Sequence, residues 1–356
     1  MIKSVFCVIF SAMNFWKHIA AAAKAKGEPL LVLAPMADVT DPSFRRVIAK
    51  YSAHERTDGT IGGPDVMWTE FVSADGLARA PEEGQKKLRA DLQFAPEERP
   101  IVAQLFTANP EHMELAARLC ATLGYDGVDI NMGCPDRGIE KQGCGSAMIK
   151  NPEAAKAVIE AAKRGMSFDG VERPVSVKTR LGYNHDELET WLPFLLAAKP
   201  AVITVHARTR KEMSKVPARW ERVKRAVEIR DELGSDTLIF GNGDVQSRED
   251  AFKKAAETGA DGVMLGRAIF GNPWLFHHEK DLSNISMDER FEALTEHTKL
   301  YEQLLPHKSF ALMKKHYKAY INGFDGAHEL RAQLMETNNS TEVAAIISEF
   351  QNKEKN

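Results

Sequence analysis

Short apolar runs, rich in β-branched residues and closed by polar residues or glycine, recur eight times along the chain, at 31–36, 66–72, 101–106, 127–133, 174–180, 202–208, 237–243 and 262–268. Most are followed by alanine-rich stretches whose apolar positions repeat at helical spacing, among them 110–123, 152–164, 219–233 and 247–258. Runs of this length bounded by turn residues read as strands, and the longer periodic stretches as helices. Asn109-Pro110 and Asn151-Pro152 place a side-chain acceptor before a proline whose φ is already helical, and Ser247 offers the same kind of cap, so helices start there. Strands alternating with helices predict parallel pairing with crossover helices, and eight of them predict a (β/α)8 barrel. A doubly wound sheet is the alternative, but no strand is followed by G-x-G-x-x-G. Met36, Glu70, Gln104, Asn131, Lys178, His206, Asn242 and Arg267 fall at the ends of eight different strands; a barrel gathers such residues in one mouth.

From about position 281 the pattern is helical only, at 287–305, 308–321, 326–334 and 341–350, with a stop at Asn322-Gly323. The expected organisation is an N-terminal extension (1–28), an α/β TIM barrel (29–280), a small C-terminal all-helical domain (281–350) and a frayed tail (351–356). The polar stretch 52–63 reads as a loop or insertion. Lys3, the apolar run 5–13 and the alanines 20–23 resemble a secretory leader. That run is about half the length that spans a bilayer, and Trp16-Lys17-His18 separates it from the alanines, so an extension is the preferred reading. No later segment is apolar enough to cross a membrane.

Composition adds limits. With 44% hydrophobic and 27% charged residues among 356, the chain is an ordinary globular one with a large core. A net charge of −3 gives no whole-molecule attraction for nucleic acid, so any basic surface must be local. Cys7, Cys120, Cys134 and Cys144 include no C-x-x-C pair and no histidines at zinc-finger spacing, which argues against a disulfide framework or a bound metal. A cytoplasmic protein is expected.

The strand 127–133 delivers Cys134 into a turn made by Gly133 and Pro135, with Gly138, Gly143 and Gly145 nearby, so backbone can approach a ligand beside the thiol. Lys178 at a strand end is suited to Schiff-base chemistry or to facing an electron-rich ligand. His206 ends another strand beside Arg208 and Arg210. Asn242-Gly243-Asp244 and Gly266-Arg267 follow strands seven and eight, where barrels commonly bind phosphate.

In that order the segments 34–41, 69–74, 102–104, 129–135, 143–146, 175–182, 204–210, 241–244, 264–267 and 271–274 resemble the tRNA-dihydrouridine synthases, flavoproteins with an FMN-binding barrel and a C-terminal helical domain. The likeness runs from about 31 to 276 and continues more weakly through 313–317 and 329–331. It implies that Pro35, Met36 and Ala37 line the flavin, that Gln104, Lys178 and His206 contact its ring and ribityl parts, and that Asn242, Gly243, Asp244, Gly266 and Arg267 hold its phosphate end. It implies Cys134 as the acid that protonates uracil C5, tRNA as substrate, and NADPH or NADH as reductant. Asn131 and Asp129 are read as shaping the cysteine turn. One departure is plain: the segment 211–220 lacks the glutamine and tyrosine-glycine pair usual after Arg208-Thr-Arg210.

RNA could be met by two basic stretches. Between 208 and 225, Arg208, Arg210, Lys211, Lys215, Arg219, Arg222, Lys224 and Arg225 face only Glu212 and Glu221 in sequence, and Lys314, Lys315, His316 and Lys318 form a second group with Tyr317 and Tyr320. Asn131, Arg180, Arg208, Arg210, Arg222, Arg225, Lys314, Lys315 and Arg331 are the candidate RNA contacts. The competing readings are a flavin barrel oxidoreductase acting on a free pyrimidine or enone, a flavin-free aldolase using Lys178, and a non-catalytic RNA-binding protein.

Overall fold

The computed structural model describes residues 15–354, so the apolar run 5–13 and Cys7 lie outside the described residues. All eight predicted runs form strands: β1 Leu30–Leu33, β2 Met67–Ser73, β3 Ile101–Phe106, β4 Gly127–Met132, β5 Val175–Arg180, β6 Val202–His206, β7 Leu238–Asn242 and β8 Gly262–Leu265. β1 stops short of the predicted end because Pro35 has no N–H for a ladder bond. The strands pair in parallel in the order β1-β8-β7-β6-β5-β4-β3-β2. The ring closes where Val32 bridges Val66, with the Leu33 N–H donating to the Val66 carbonyl at 3.1 Å. β3 and β4 are buried along their whole length, as expected where helices cover the outside and side chains fill the inside.

The covering helices are α1 Phe15–Lys26, α2 Pro42–Tyr51, α3 Ala74–Arg79, α4 Glu82–Asp91, α5 Pro110–Thr122, α6 Pro152–Met166, α7 Leu188–Ala197, α8 Trp220–Glu232 and α9 Arg248–Thr258. Asn109 accepts from the Glu111 and His112 N–H groups, Asn151 from Ala154 and Ser247 from Asp250, which are the caps read from sequence. Among the buried polar pairs, Arg45 donates to Glu98 at 2.6 Å and also to the Thr40 carbonyl at 2.7 Å, tying α2 to the segment before β3.

Two segments differ from expectation. Residues 15–26 are not an appendage. Phe15, Trp16, Ile19 and Ala23 share one face of α1 and bury it against Leu30, Val32, Val66, Trp68, Val202 and Phe240, the inward-facing set of the barrel. The Trp16 ring lies 5.7 Å from Trp68 and 5.5 Å from Phe240. α1 therefore plugs the end of the barrel at which the strands begin. Residues 52–63, expected as loop, include a small antiparallel hairpin, His54–Glu55 with Ile61–Gly62, under which buried Arg56 donates to the Arg99 carbonyl at 3.0 Å.

The C-terminal helices are α10 Met287–Leu304, α11 Lys314–Tyr320, α12 Ala327–Met335 and α13 Ser340–Glu354. The single helix expected over 308–321 divides into a 3-10 turn, Phe310–Met313, and α11. Their core joins Phe291, Leu294, Tyr301, Tyr317, Leu330 and Val343 to Trp274, a residue of the barrel's own C-terminal segment. The helices rest on α2: Phe44 stacks on His297 at 4.8 Å, and Lys50 and Tyr51 both donate to Glu296. No described helix is long and apolar enough to cross a membrane.

Candidate active site

The C-terminal ends of the strands open on a cavity of about 690 Å³, within the range usual for small-molecule sites. Pro35, Met36, Gln104, Asn131, Cys134, Lys178, Arg180, His206, Arg208, Asn242, Gly243, Asp244, Gly266 and Arg267 all line it. Ala37 does not: it is exposed on the turn beyond Met36, where β1 has already ended. Phe71, Ser214 and Gln246 are among the further wall residues not singled out in sequence. Phe71 sits at a strand end, a position that could have marked it. Ser214 belongs to the loop that departs from the pattern.

Lys178 comes from β5, and its ammonium donates to the Asn242 side-chain amide oxygen at 3.0 Å. Asn242 is itself fixed by donating to the Met264 carbonyl at 2.8 Å. One acceptor leaves the ammonium with donors to spare toward the cavity. Burial, with Arg180 adding repulsion, brings Lys178 down to about 8. Burial and then Lys178 hold His206 well below its ordinary value, so its imidazole is neutral. Arg208 is nearly fully buried, donating to the Val216 carbonyl at 2.6 Å and pairing with Asp244. Arg267 meets the other Asp244 oxygen at 2.8 Å. The Asp244 carboxylate therefore holds two guanidinium groups in place; a phosphate would be met by the arginines and by the turn, not by that carboxylate. At Gly243, with φ of 129°, a Cβ would stand 2.8 Å from the Ala218 Cβ, so only glycine fits this approach.

Cys134 lies on the turn after β4, the strand that pairs with β5. Its N–H donates to the Asn131 side-chain oxygen at 2.9 Å, and its carbonyl accepts from the Ser146 N–H and hydroxyl, each at 2.9 Å. Burial pushes the thiol above its ordinary value, so it is protonated at neutral pH. Gly145, at φ 60°, lies where a Cβ would come within 2.7 Å of the Cys134 carbonyl oxygen. Cys144 packs instead with Phe106 and Ile139, fully buried, and burial raises it to about 11. Arg180 spans the turn from β5, donating to the Gly133 carbonyl at 2.7 Å and to the Thr209 and Met213 carbonyls at 3.1 Å.

The basic stretches look different in three dimensions. Arg222 pairs with Asp186 and Glu189, and Arg225 with Glu189, Glu228 and Glu232, carboxylates that α7, the turn before it and the far turns of α8 supply. Arg210 forms a two-pronged pair with Glu140 and lies over the Tyr183 ring. Arg208 is interior. In the second group His316, Tyr317 and Tyr320 are buried in the helical core, Lys315 donates to the Asp38 carbonyl, and Arg331 donates to the Ile321 carbonyl at 2.7 Å, ending α11. The sequence count of eight cations to two anions missed partners on other elements and further along α8. Among the described residues, four exposed cations on the loops beside the thiol carry no ion pair: Arg137 and Lys141, which bracket Glu140, and Lys211 and Lys215, just past Arg210. The Glu140–Arg210 pair draws these two loops together, with Met213 and Val216 exposed beside them.

The barrel, the thiol and the basic pocket are joined here by a match across almost the whole chain, since the dihydrouridine synthase family model matches residues 32–355. The chain belongs to the dihydrouridine synthase family. A probable tRNA-dihydrouridine synthase 2 of Bacillus subtilis (strain 168) is 38% identical over 343 residues, covering 96% of this chain and 97% of its own length. A probable tRNA-dihydrouridine synthase of Staphylococcus aureus (strain COL) is 37% identical over 341 residues, covering 95% and 96%. Among solved structures, a complex of 2-naphthoyl-CoA reductase with 2-naphthoyl-CoA superposes at a TM-score of 0.50 and 11% identity, over 69% of this chain and 49% of that one. Histamine dehydrogenase from Rhizobium sp. 4-9 does so at 0.50 and 13%, over 76% and 48%. At those identities the likeness is one of fold. Within the dihydrouridine synthase family, this chain thus sets its thiol on the turn after β4 and its lysine on the neighbouring strand β5, both lining one cavity.

Proposed function

We propose that this chain is a cytoplasmic tRNA-dihydrouridine synthase, reducing the C5–C6 bond of uridines in tRNA, with FMN held in the barrel mouth and Cys134 as proton donor. The observation that carries the reading is a protonated thiol and a buried lysine opening on the same cavity. The cavity suits the cofactor: Lys178 has spare donors, and the glycine turn at Gly243 lies beside Arg208 and Arg267. When bound, FMN supplies the hydride, and NADPH or NADH renews it. Lys178 stabilises negative charge on the ring edge it faces, as a fixed cation in a poorly solvated site does. Met36, Gln104, Asn242 and Gly266 orient the ligand, and neutral His206 offers a hydrogen bond. Cys134 keeps its proton until a uracil carbon is presented, which a low thiol pKa would prevent.

An embedded uridine must leave its stack to reach this cavity. Arg137, Lys141, Lys211 and Lys215 would hold the flanking phosphates, with Lys314 and Lys315 reaching in from the helical side. The paired Arg222 and Arg225 are weaker candidates than their place in the sequence suggested.

The test is the visible spectrum of the purified protein, followed by anaerobic mixing of its NADPH-reduced form with unmodified tRNA. Flavin absorbance that bleaches with NADPH and returns on adding tRNA is the expected result. Losing a positioned acid costs about 10²- to 10⁴-fold, so Cys134→Ala should slow the return by that much. Return with a free pyrimidine or enone but not with tRNA would reject the substrate.

A further inference from the structure

Beneath the mouth a line of hydrogen bonds runs from the barrel interior to the cysteine turn. Asp129, fully buried on β4, accepts from the Ser176 hydroxyl at 2.6 Å and from the Gln104 amide nitrogen at 2.6 Å. The Gln104 carbonyl oxygen then accepts from the Asn131 amide nitrogen at 3.0 Å. The Asn131 carbonyl oxygen is left to accept from the backbone N–H groups of Gly133 at 3.1 Å and Cys134 at 2.9 Å. Each amide in this line has two orientations, and only one of them suits both of its neighbours. An ionised carboxylate offers acceptors alone, so it draws the nitrogen of Gln104 toward itself. The orientation of Asn131, and through it the turn, is then set.

We infer that Asp129 is a positioning residue that fixes the Cys134 turn through Gln104 and Asn131, holding the thiol where a substrate carbon meets it. Asp129 does not itself line the cavity and makes no hydrogen bond to the thiol, so its effect passes through two amides. Without its acceptor, Gln104 is free to turn, Asn131 turns with it, and the oxygen that binds the Gly133 and Cys134 N–H groups is withdrawn. The inference builds on Cys134 as the proton donor, but its test does not depend on that role.

Amide hydrogen exchange of the purified full-length chain, followed by mass spectrometry on a peptide spanning Asn131 to Pro135, reads the two N–H groups directly. In Asp129→Ala that peptide should exchange at least about tenfold faster, since two hydrogen bonds of roughly 1 kcal/mol each are lost. Asp129→Asn should stay within about threefold of the parent, because its oxygen can still accept from Gln104 while its nitrogen donates to the Ser176 hydroxyl. Gln104→Met breaks the line one step later and should match Asp129→Ala, so the idea remains testable if the alanine variant fails to fold. Unchanged exchange at the turn in the variant that folds would overturn the inference. An increase shared equally by the β5 peptide would overturn it too, because that reports loosening of the barrel. Activity gives an independent reading: tRNA-dependent flavin return should slow in Asp129→Ala with the tRNA KM unchanged, and recover in Asp129→Asn. If exchange behaves as expected but no variant affects reaction with tRNA, the positioning stands and the proposed reaction falls.

Discussion

Lys178 gives the sharpest link between this site and a measurable quantity. Burial keeps its ammonium at about 8, helped by Arg180 and opposed by Asp129 and Cys134. An anionic ligand beside it reverses the balance and restores the charge. If the bound state returns the lysine to about 10.4, its ordinary value, the free chain carries about 0.1 proton on it at pH 9 and the complex nearly one. Binding FMN to the apoprotein should then take up about 0.9 proton at pH 9, about 0.5 at pH 8 and about 0.1 at pH 7. Affinity should fall by roughly tenfold per pH unit between about pH 8.5 and 10. Titration calorimetry in buffers of different ionisation enthalpy measures the uptake. In Lys178→Met the uptake should vanish and affinity should become lower and flat with pH. Uptake below about 0.3 at pH 9, or full uptake in Lys178→Met, would refute the reasoning. The same shift acts on the apoprotein with the sign set by linkage. Between about pH 8 and 10.4 the unfolded chain binds more protons at this site than the folded one, so this residue makes stability rise with pH across that window.

The rim cations should separate from the paired ones in salt titrations of tRNA binding. Neutralising Arg137, Lys141, Lys211 and Lys215 together should flatten the slope of log K against log salt by up to about 0.7 to 0.9 per phosphate contact, while Arg222→Ala with Arg225→Ala should leave it within error. An equal effect from both sets would restore the reading made from sequence. Trp16→Ala should cost about 3–5 kcal/mol in a urea melt, since the ring is fully buried between Trp68 and Phe240; a loss under about 1 kcal/mol would mean that α1 is not part of the barrel core. Lys308 joins Glu70 at 2.9 Å and Asp91 at 3.0 Å, so Lys308→Met should cost about 3–5 kcal/mol by stranding the buried Glu70 carboxylate. Adding Glu70→Gln should return part of that loss, and a melt showing no such recovery would remove the ion pair from the explanation.

The barrel was legible because each strand carries its own signal, an apolar run with a turn residue at its end, and those ends are where the fold puts the mouth. The cavity residues were legible for the same reason, with two exceptions: Pro35 ends β1 and carries Ala37 out to solvent, and Glu70, also read as a mouth residue, turns away from the cavity to pair with Lys308. Charge was less legible. Arg222 and Arg225 look unopposed within 208–225, yet Glu228 and Glu232 further along α8 pair with Arg225, and Asp186 and Glu189, more than thirty positions away, lie against them once α7 and α8 pack. Arg208 looked like a surface cation and is interior because Asp244 and the Val216 carbonyl satisfy it. Tyr317 and Tyr320 were grouped with the second basic stretch, but their helical spacing to His316 and Met313 is that of a core face. The face of α1 was present in sequence as Phe15, Trp16, Ile19 and Ala23; what sequence could not show was an open barrel end of the right size to receive it.

That plug has a kinetic consequence. With α1 filling one end and side chains filling the middle, the cavity opens at the other end of the barrel, and on the proposed function a reductant would have to enter by the mouth that the RNA uses. A reductant and a flipped uridine that compete for that mouth would bind in turn. The first would leave before the second arrives, and initial-rate plots against tRNA at several reductant concentrations should then run parallel instead of converging.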